Sequence, residues 1–277
     1  MANGSGLSYI KRDTPVHNLT GASKLLMVLF ITFAAMLTFD TRFLLVIAFL
    51  SCVVFAVSRI PLRDLKLIIT VIFILMLMNN FFIFIFSSEE GVSIYGSRTE
   101  IAHIFGSYYL TQEQLFYQLN VTIKYFTIMP LALIFFVTTE PSEFASSLNA
   151  LGVNYKVAYS VSLSLRYIPG VQREYLEISQ ALQARGIDIS KNARLKNRIK
   201  GIATILFPLI ITSIDKIERI SNAMELRSFG KNKRRTWYRG RSFAAIDYAV
   251  IIISLLFIGV SVILNIINGG RFYNPFI

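Results

Sequence analysis

Two arginines, Arg185 and Arg227, are the residues whose positions most directly suggest a chemistry. Each comes three residues after the last member of an apolar stripe with helical spacing, so a cation ends an apolar face instead of lying on a solvated one. A guanidinium carries five N–H donors in a fixed fork, which suits carboxylates or carbonyl groups of another protein. The alternative is that both are ordinary helix-end cations favoured by the helix dipole, an effect of about 0.3–1 kcal/mol.

The sequences around the two arginines also match each other. Residues 178–186 (ISQALQARG) align without gaps with residues 220–228 (ISNAMELRS), and Ile, Ser, Ala and Arg coincide. A chance match is the alternative, but a true repeat would present the same docking element twice, to two similar partners or to two halves of one. Small residues beside the arginines would let a partner backbone approach closely. The candidate docking residues are Ala184, Arg185, Gly186, Leu226, Arg227 and Ser228.

Three helices are predicted to position these residues. The first is short, and Thr139-Glu140-Pro141 forms its capped start. The second begins near residues 165–169 and runs to the first arginine, with Gly186 as a left-handed stop residue. The third is longer, and Pro208 is expected to kink it. The apolar stripes consist of Ile168, Val171, Tyr175, Ile178 and Leu182 in the second helix, and of Ile202, Leu206, Leu209, Ser213, Ile217, Ile220 and Met224 in the third.

The composition of the chain indicates a membrane protein. Hydrophobic residues make up 54% of the 277 residues and charged residues 16%, against about 45–50% and about 25% in soluble domains. A transmembrane helix needs roughly 17–25 predominantly apolar residues. A buried soluble hairpin is the alternative for the first two stretches, which are short. The five predicted spans are 22–39, 43–58, 65–86, 117–138 and 244–267.

The charges between these spans predict their orientation. Lysines and arginines cluster before the first span and between the second and third, which places both regions in the cytoplasm. The loop 87–113 has four glutamates and one arginine and is expected outside. The segment 165–241 contains 17 Lys/Arg and 6 Asp/Glu, and so holds nearly all of the net charge of +12. The prediction is a cytoplasmic N-terminus, a cytoplasmic segment 139–243 and an external C-terminus.

The predicted fold class is an all-α integral membrane protein with about five transmembrane helices and three cytoplasmic coupling helices. Its regions are 1–138 with four spans, 139–243 with the cytoplasmic helices, and 244–277 with the last span and the tail. The apolar run 201–213 is not counted as a span, because each charged residue flanking it would cost roughly 2.5–3.5 kcal/mol at a helix centre. Lys124, early in the fourth span, is expected to extend to the outer interface.

The sequence predicts no catalytic, metal or cofactor site. The two histidines, His17 and His103, are expected in different compartments, and no His, Cys or acidic cluster assembles a site. No Gly-x-x-x-x-Gly-Lys-Ser/Thr phosphate loop is present. A permease with its own substrate path is one alternative, for which Asn79-Asn80 supplies few polar groups. A membrane enzyme and a membrane-anchored nucleic-acid binder are others, and the binder would need cations spread over a solvated face.

With these motifs the sequence resembles the T components of energy-coupling factor transporters, the CbiQ-like membrane subunits. The hallmark of that family is two short arginine motifs, Ala-Arg-Gly or a close variant, at the ends of two cytoplasmic coupling helices. Ala184-Arg185-Gly186 matches fully, whereas Leu226-Arg227-Ser228 keeps the arginine and a small residue after it but lacks the alanine. The stretches 13–24, 139–144 and 165–169 are similar to other parts of the family pattern.

The resemblance implies a non-catalytic subunit of the cell membrane that couples ATP hydrolysis by other proteins to transport. Its partners would be two cytoplasmic ABC ATPases, which bind the two arginine motifs, and a membrane S component. The S component would capture a vitamin or a transition-metal ion. Neither a cofactor nor a nucleic acid is implied.

Overall fold

A computed structural model describes residues 14–105, 108–186, 195–232, 236–237 and 240–276. Helices dominate this part of the chain, which confirms the predicted fold class, and one antiparallel β-hairpin is an unforeseen addition. The helices are α1 Pro15–Asn18, α2 Gly21–Leu37, α3 Thr41–Val57, α4 Leu62–Phe86, α5 Glu90–Tyr95, α6 Gln112–Thr138, α7 Pro141–Ala150, α8 Tyr155–Ala184, α9 Leu195–Leu226 and α10 Ala245–Ile267, and the strands are β1 Glu100–Phe105 and β2 Tyr108–Thr111.

Five helices correspond to the five predicted spans. α4, α6 and α10 are long and apolar enough to cross a bilayer, and α2 and α3 are apolar helices of 17 residues. A helix of that length extends about 26 Å, close to the roughly 30 Å of a hydrocarbon core. α9, which contains the apolar run 201–213, is not among the candidate spans of the described residues. The protein is therefore a multi-pass helical membrane protein.

The chain divides into two compact units. Residues 1–140 and 241–277 form one, called here the membrane unit, and residues 141–240 form the other, called the α7–α9 unit. The core of the membrane unit lies between α2, α3 and α6, where Ala34, Leu44 and Ile134 are completely buried. The outward faces of its spans are apolar and exposed, as expected where lipid is the solvent.

One end of the membrane unit is closed by an aromatic cluster around Phe39, in the short connection between α2 and α3. The Phe39 ring stacks on Phe272, with 4.7 Å between ring centroids, and the ammonium of Lys124 lies 3.2 Å from the Phe39 centroid. Lys124 is buried, so it does not extend to the interface as expected. The face of the aromatic ring attracts the cation instead.

The connections between the spans gather at two ends of the membrane unit. At the Phe39 end, the C-terminal segment joins the loop after α4, because the Asn274 amide donates to the Tyr95 carbonyl at 2.9 Å. At the other end, the start of α2 meets the end of α6 through Lys24 and the start of α10 through Asp247. This alternation agrees with five crossings of one membrane.

Candidate docking site

The two candidate arginines occupy the same position in the backbone of their helices. α8 ends one residue before Arg185, and α9 ends one residue before Arg227. The residue after each arginine is left-handed, with a φ of 84° at Gly186 and 53° at Ser228. In both cases the N–H of this residue donates to the carbonyl three residues earlier, at 3.0 Å and 2.8 Å. The predicted stop at Gly186 is confirmed, and the match between the two segments extends to their conformation.

The side chains at both helix ends are available to a partner. Neither guanidinium has an ion-pair partner within the residues that the structure describes. The two ends differ beside the arginine, because Leu226 is 88% exposed where the other end has only the methyl group of Ala184. The exposed candidate residues are Ala184, Arg185, Gly186, Leu226, Arg227 and Ser228.

α8 begins ten residues before the predicted start near residues 165–169, at Tyr155. The Asn154 side chain caps it by accepting the N–H of Lys156 at 2.9 Å. Pro169, at the end of the predicted start region, lies inside the helix. A proline removes one N–H from the helix ladder and bends the helix, and here the helix continues through it. The prediction of this helix start is therefore wrong.

The predicted apolar stripes are only partly used for packing inside the α7–α9 unit. On α8, Leu182 is buried but Ile168 is 49% exposed, and on α9 Leu209 is buried but Ile217 is 64% exposed. Other buried residues of α8 lie outside the predicted stripe, among them Tyr155 and Ala158. The unit therefore exposes a large apolar surface. Prominent members are Ile168, Leu176, Phe207, Ile210, Ile214 and Ile217.

An ion pair joins α8 to α9, with 2.6 Å between the Lys216 ammonium and a Glu174 carboxylate oxygen. The hydrogen bond from Lys216 holds the pKa of Glu174 below its usual value, although partial burial opposes this shift. The two residues are 42 positions apart, which is also the offset between Arg185 and Arg227. The ion pair thus connects two positions that are separated by the same offset as the repeat.

The two arginines lie at opposite ends of this helix pair. α8 and α9 run antiparallel, because Phe229, just after α9, contacts Tyr159 near the start of α8 with 4.8 Å between ring centroids. Each arginine follows its member of the ion pair by eleven residues, or about 16 Å of helix. The ion pair was not predicted from the sequence. The signal for it is the opposite charge of Glu174 and Lys216 at equivalent positions of the repeat.

Asn80, a polar residue inside a span of the membrane unit, has structural partners. Asn80 links α4 to α6, because the Gln118 amide donates to the Asn80 carbonyl at 3.2 Å and Thr122 donates to the Asn80 side chain at 3.4 Å. Such interhelical bonds are a common use of asparagine in membranes. Among the described residues, no group of three His, Cys, Asp or Glu could hold a metal ion.

The geometry thus defines a multi-pass membrane protein with two matched arginine ends on a separate helical unit. A family model described as CbiQ, cobalt transport protein, matches residues 12–238. The chain belongs to the CbiQ family, and its resemblance to the T components of energy-coupling factor transporters is confirmed.

Individual relatives match along most of the chain. A protein of Exiguobacterium sibiricum named energy-coupling factor transporter transmembrane protein EcfT is 27% identical over 274 residues, which cover 96% of this chain and 97% of the relative. The protein of the same name from Bacillus subtilis is 23% identical, over 90% of this chain and 95% of the relative. A putative ABC transporter ATP-binding protein of Bifidobacterium longum is 27% identical over 89% of this chain, but this match spans only 30% of that protein.

Proposed function

We propose that this protein is the transmembrane coupling subunit, the T component, of an energy-coupling factor transporter in the cell membrane. Its N-terminus and its α7–α9 unit lie in the cytoplasm, in agreement with the excess of Lys and Arg in the segment 165–241. It hydrolyses no ATP itself. It transfers the closure of two partner ATPases to a membrane partner that carries the substrate.

The observation that carries this proposal is the equivalence of the two arginine ends. The two exposed arginines have the same backbone conformation around them, and each lies eleven residues after its member of the Glu174–Lys216 ion pair. Two equivalent guanidiniums suit two equivalent grooves on a pair of ABC ATPases. The Bifidobacterium longum relative supports the same partnership, because a segment similar to this chain forms part of a longer protein that is named for ATP binding.

The membrane partner is an S component that binds the exposed apolar surface of α8 and α9. Large apolar patches on a helical unit are typical of protein interfaces. The S component captures the substrate, a vitamin or a transition-metal ion, and this chain supplies no substrate site. A permease with its own path is less well supported, because Asn80 is engaged in hydrogen bonds between helices.

The test is co-purification of the ATPases with single and double alanine variants of Arg185 and Arg227 from the native membrane. Truncating one partner of a buried charge pair costs roughly 2–5 kcal/mol, and each 1.4 kcal/mol is about tenfold in affinity. Either single variant should weaken assembly while the remaining site retains the complex by avidity. The double variant should release the ATPases.

Matched controls lie on the same two helices. Arg173→Ala on α8 and Arg219→Ala on α9 remove exposed arginines whose described bonds are to the carbonyls of their own helix. Both controls should assemble as the unmodified protein does. The docking assignment would fail if the double variant retained its ATPases in normal amount, and the two arginines would then be ordinary helix-end cations.

A further inference from the structure

The chain connects its two units at two places, and both lie beside one polar cluster of the membrane unit that is buried except for Arg241. It enters the α7–α9 unit after Glu140 and returns to the membrane unit at Arg241. The cluster is built mainly by the segment that precedes and opens α2, which belongs to the family-like stretch 13–24 but has no part in the docking ends. The junction cluster consists of His17, Thr20, Ser23, Lys24, Thr138, Arg241 and Asp247.

Lys24 makes hydrogen bonds beside the first connection, where the chain leaves the membrane unit. This residue lies in the first turns of α2 and is completely buried. Its ammonium donates to the carbonyl of Thr138, the last residue of α6, at 3.1 Å, and to the carbonyl of His17 at 3.5 Å. The last carbonyls of a helix have no partner within the helix. Lys24 therefore fixes the point where α6 ends, three residues before the α7–α9 unit begins at Pro141.

Asp247 holds the returning connection. It lies in the first turn of α10 and is 1% exposed. One carboxylate oxygen accepts the backbone N–H of Thr20 at 2.8 Å and also the hydroxyl of Ser23. The other oxygen accepts the N–H of Ala244 at 2.8 Å. The start of α10 is thereby attached to the start of α2.

The two connections share one acceptor. The carbonyl of His17 receives the Lys24 ammonium and also the Arg241 guanidinium, the latter at 3.4 Å. Buried hydrogen bonds that involve charged groups are strong and directional, because water does not compete for them and an unpaired charge is costly. The bonds of Lys24 and Asp247 are of this buried kind, whereas Arg241 adds one bond from an exposed side chain.

We propose that Lys24 and Asp247 are positioning residues for energy coupling. They fix both connections to the α7–α9 unit, so that movement imposed at the arginine ends turns the membrane unit instead of bending the two connections. This role rests on the proposed function, because it requires partners that move the α7–α9 unit. It concerns transmission and leaves the docking of those partners to Arg185 and Arg227.

The test measures how firmly the α7–α9 unit is held. Spin labels are placed by Leu62→Cys at the exposed start of α4 and by Val157→Cys on the exposed surface of α8, in a Cys52→Ser background. Double electron–electron resonance on the full chain in lipid nanodiscs gives the distribution of distances between them. Lys24→Met and Asp247→Asn should each widen this distribution by about twofold or more, since each frees one connection from its buried partners. Lys24→Arg keeps a charged donor and should restore most of the narrow width.

The control removes a similar bond at the opposite end of the same unit. Asn268→Ala deletes the amide that donates to Asp40 at 2.9 Å, and it should leave the width unchanged. If Lys24→Met does not give monodisperse protein, Ser23→Ala and Arg241→Ala each remove only part of the hydrogen bonding of the cluster and should widen the distribution by a smaller factor. Unchanged widths in folded variants, or equal widening by Asn268→Ala, would overturn the proposal.

A second readout separates this proposal from the proposed function. The Lys24→Met and Asp247→Asn assemblies should still contain their ATPases and hydrolyse ATP, while the change in label separation caused by ATP with vanadate should be lost. A normal ATP-dependent change in both variants would contradict the positioning role. Failure of the docking assignment would give a different result: the Arg185→Ala/Arg227→Ala variant would retain its ATPases.

Discussion

The two arginine ends share one backbone conformation and differ in the side chains around it. At the Arg185 end the neighbours are Ala184 and Gly186, so no large side chain stands beside the guanidinium in the sequence. At the Arg227 end the neighbours are the larger Leu226 and Ser228. The next residue, Phe229, packs on two tyrosines of α8, Tyr155 and Tyr159. The repeat therefore preserves the placement of a guanidinium, while the side chains around it differ between the two ends; under the proposed function, the two partner sites would be similar without being identical.

Charge reversal at either arginine end should give the largest loss of ATPase binding. Arg185→Glu and Arg227→Glu should each weaken binding of the ATPases more than the alanine variants do, beyond the roughly 2–5 kcal/mol expected for truncation. A carboxylate would face the carbonyls or carboxylates that the guanidinium binds. Binding of purified ATPases to the chain in nanodiscs, measured at several salt concentrations, checks this. Equal losses would indicate equal sites, and a glutamate variant that binds as well as its alanine counterpart would contradict the model.

The aromatic support behind Arg227 should make the two ends respond differently. The Phe229 ring packs on Tyr155 and Tyr159, with 5.8 Å and 4.8 Å between ring centroids. Phe229→Ala should lower the stability of the α7–α9 unit by about 1–3 kcal/mol, because it removes a partly buried ring and two aromatic contacts. It should weaken ATPase binding more in an Arg185→Ala background, where only the Arg227 end remains, than in an Arg227→Ala background. A thermal unfolding series and a double-mutant cycle measure the two effects, and equal losses in both backgrounds would refute the local role.

Exchanging the left-handed residues tests whether the shared backbone is strained at one end. Gly186→Ser should destabilise its helix end by about 1–2 kcal/mol, because a side chain at positive φ is strained. Open space surrounds this glycine, so steric clash does not contribute. Ser228→Gly should have the opposite sign and a smaller size, since glycine tolerates the same φ but loses more entropy on folding. Thermal unfolding of both variants is the measurement, and destabilisation by Ser228→Gly would show that the serine side chain has a partner of its own.

The ion pair at the centre of the repeat should have the smallest effect. Glu174→Gln should cost about 0.2–1 kcal/mol, because the Lys216 partner is 40% exposed and solvent screens the pair. The folded-state pKa of Glu174 is lowered by Lys216. Its contribution is therefore complete above the unfolded pKa of about 4.3 and is lost as the pH falls through the lower folded value. Unfolding measured between neutral and acidic pH should show a smaller acid-induced loss in Glu174→Gln than in the unmodified chain. An identical pH dependence would exclude the contribution of the pair.

The sequence predicted local features well because they have local causes. Apolar length determines the spans, Pro141 starts α7 as predicted, and Gly186 ends α8 where a left-handed residue is required. The Thr139 hydroxyl, expected to cap α7, is buried without a hydrogen-bond partner among the described residues. The start of α8 at Tyr155 was missed because Pro169 inside a helix has the same sequence signal as a proline in a first turn. The structure must decide whether the helix continues through it.

The features that escaped prediction depend on contacts between distant residues. The partners Phe39 of Lys124 and Lys216 of Glu174 lie 85 and 42 positions away in the chain, and single-sequence patterns do not identify such pairs. The junction cluster is a similar case, since Asp247 in the last span contacts Ser23 in the first, 224 positions earlier in the chain. For the candidate docking residues, the sequence supplied the matched motifs, and the structure added their common backbone conformation.

The unequal lengths of the spans have a consequence for the surrounding lipid. α2 and α3 have 17 residues each, whereas α4 has 25 and α6 has 27, so the long helices exceed the short pair by about 12–15 Å at 1.5 Å per residue. The bilayer must become thinner beside the short pair, or the long helices must tilt, at a cost of a fraction of a kcal/mol per Å of mismatch. Lipids with shorter acyl chains should therefore favour this protein and its assembly over lipids with longer ones.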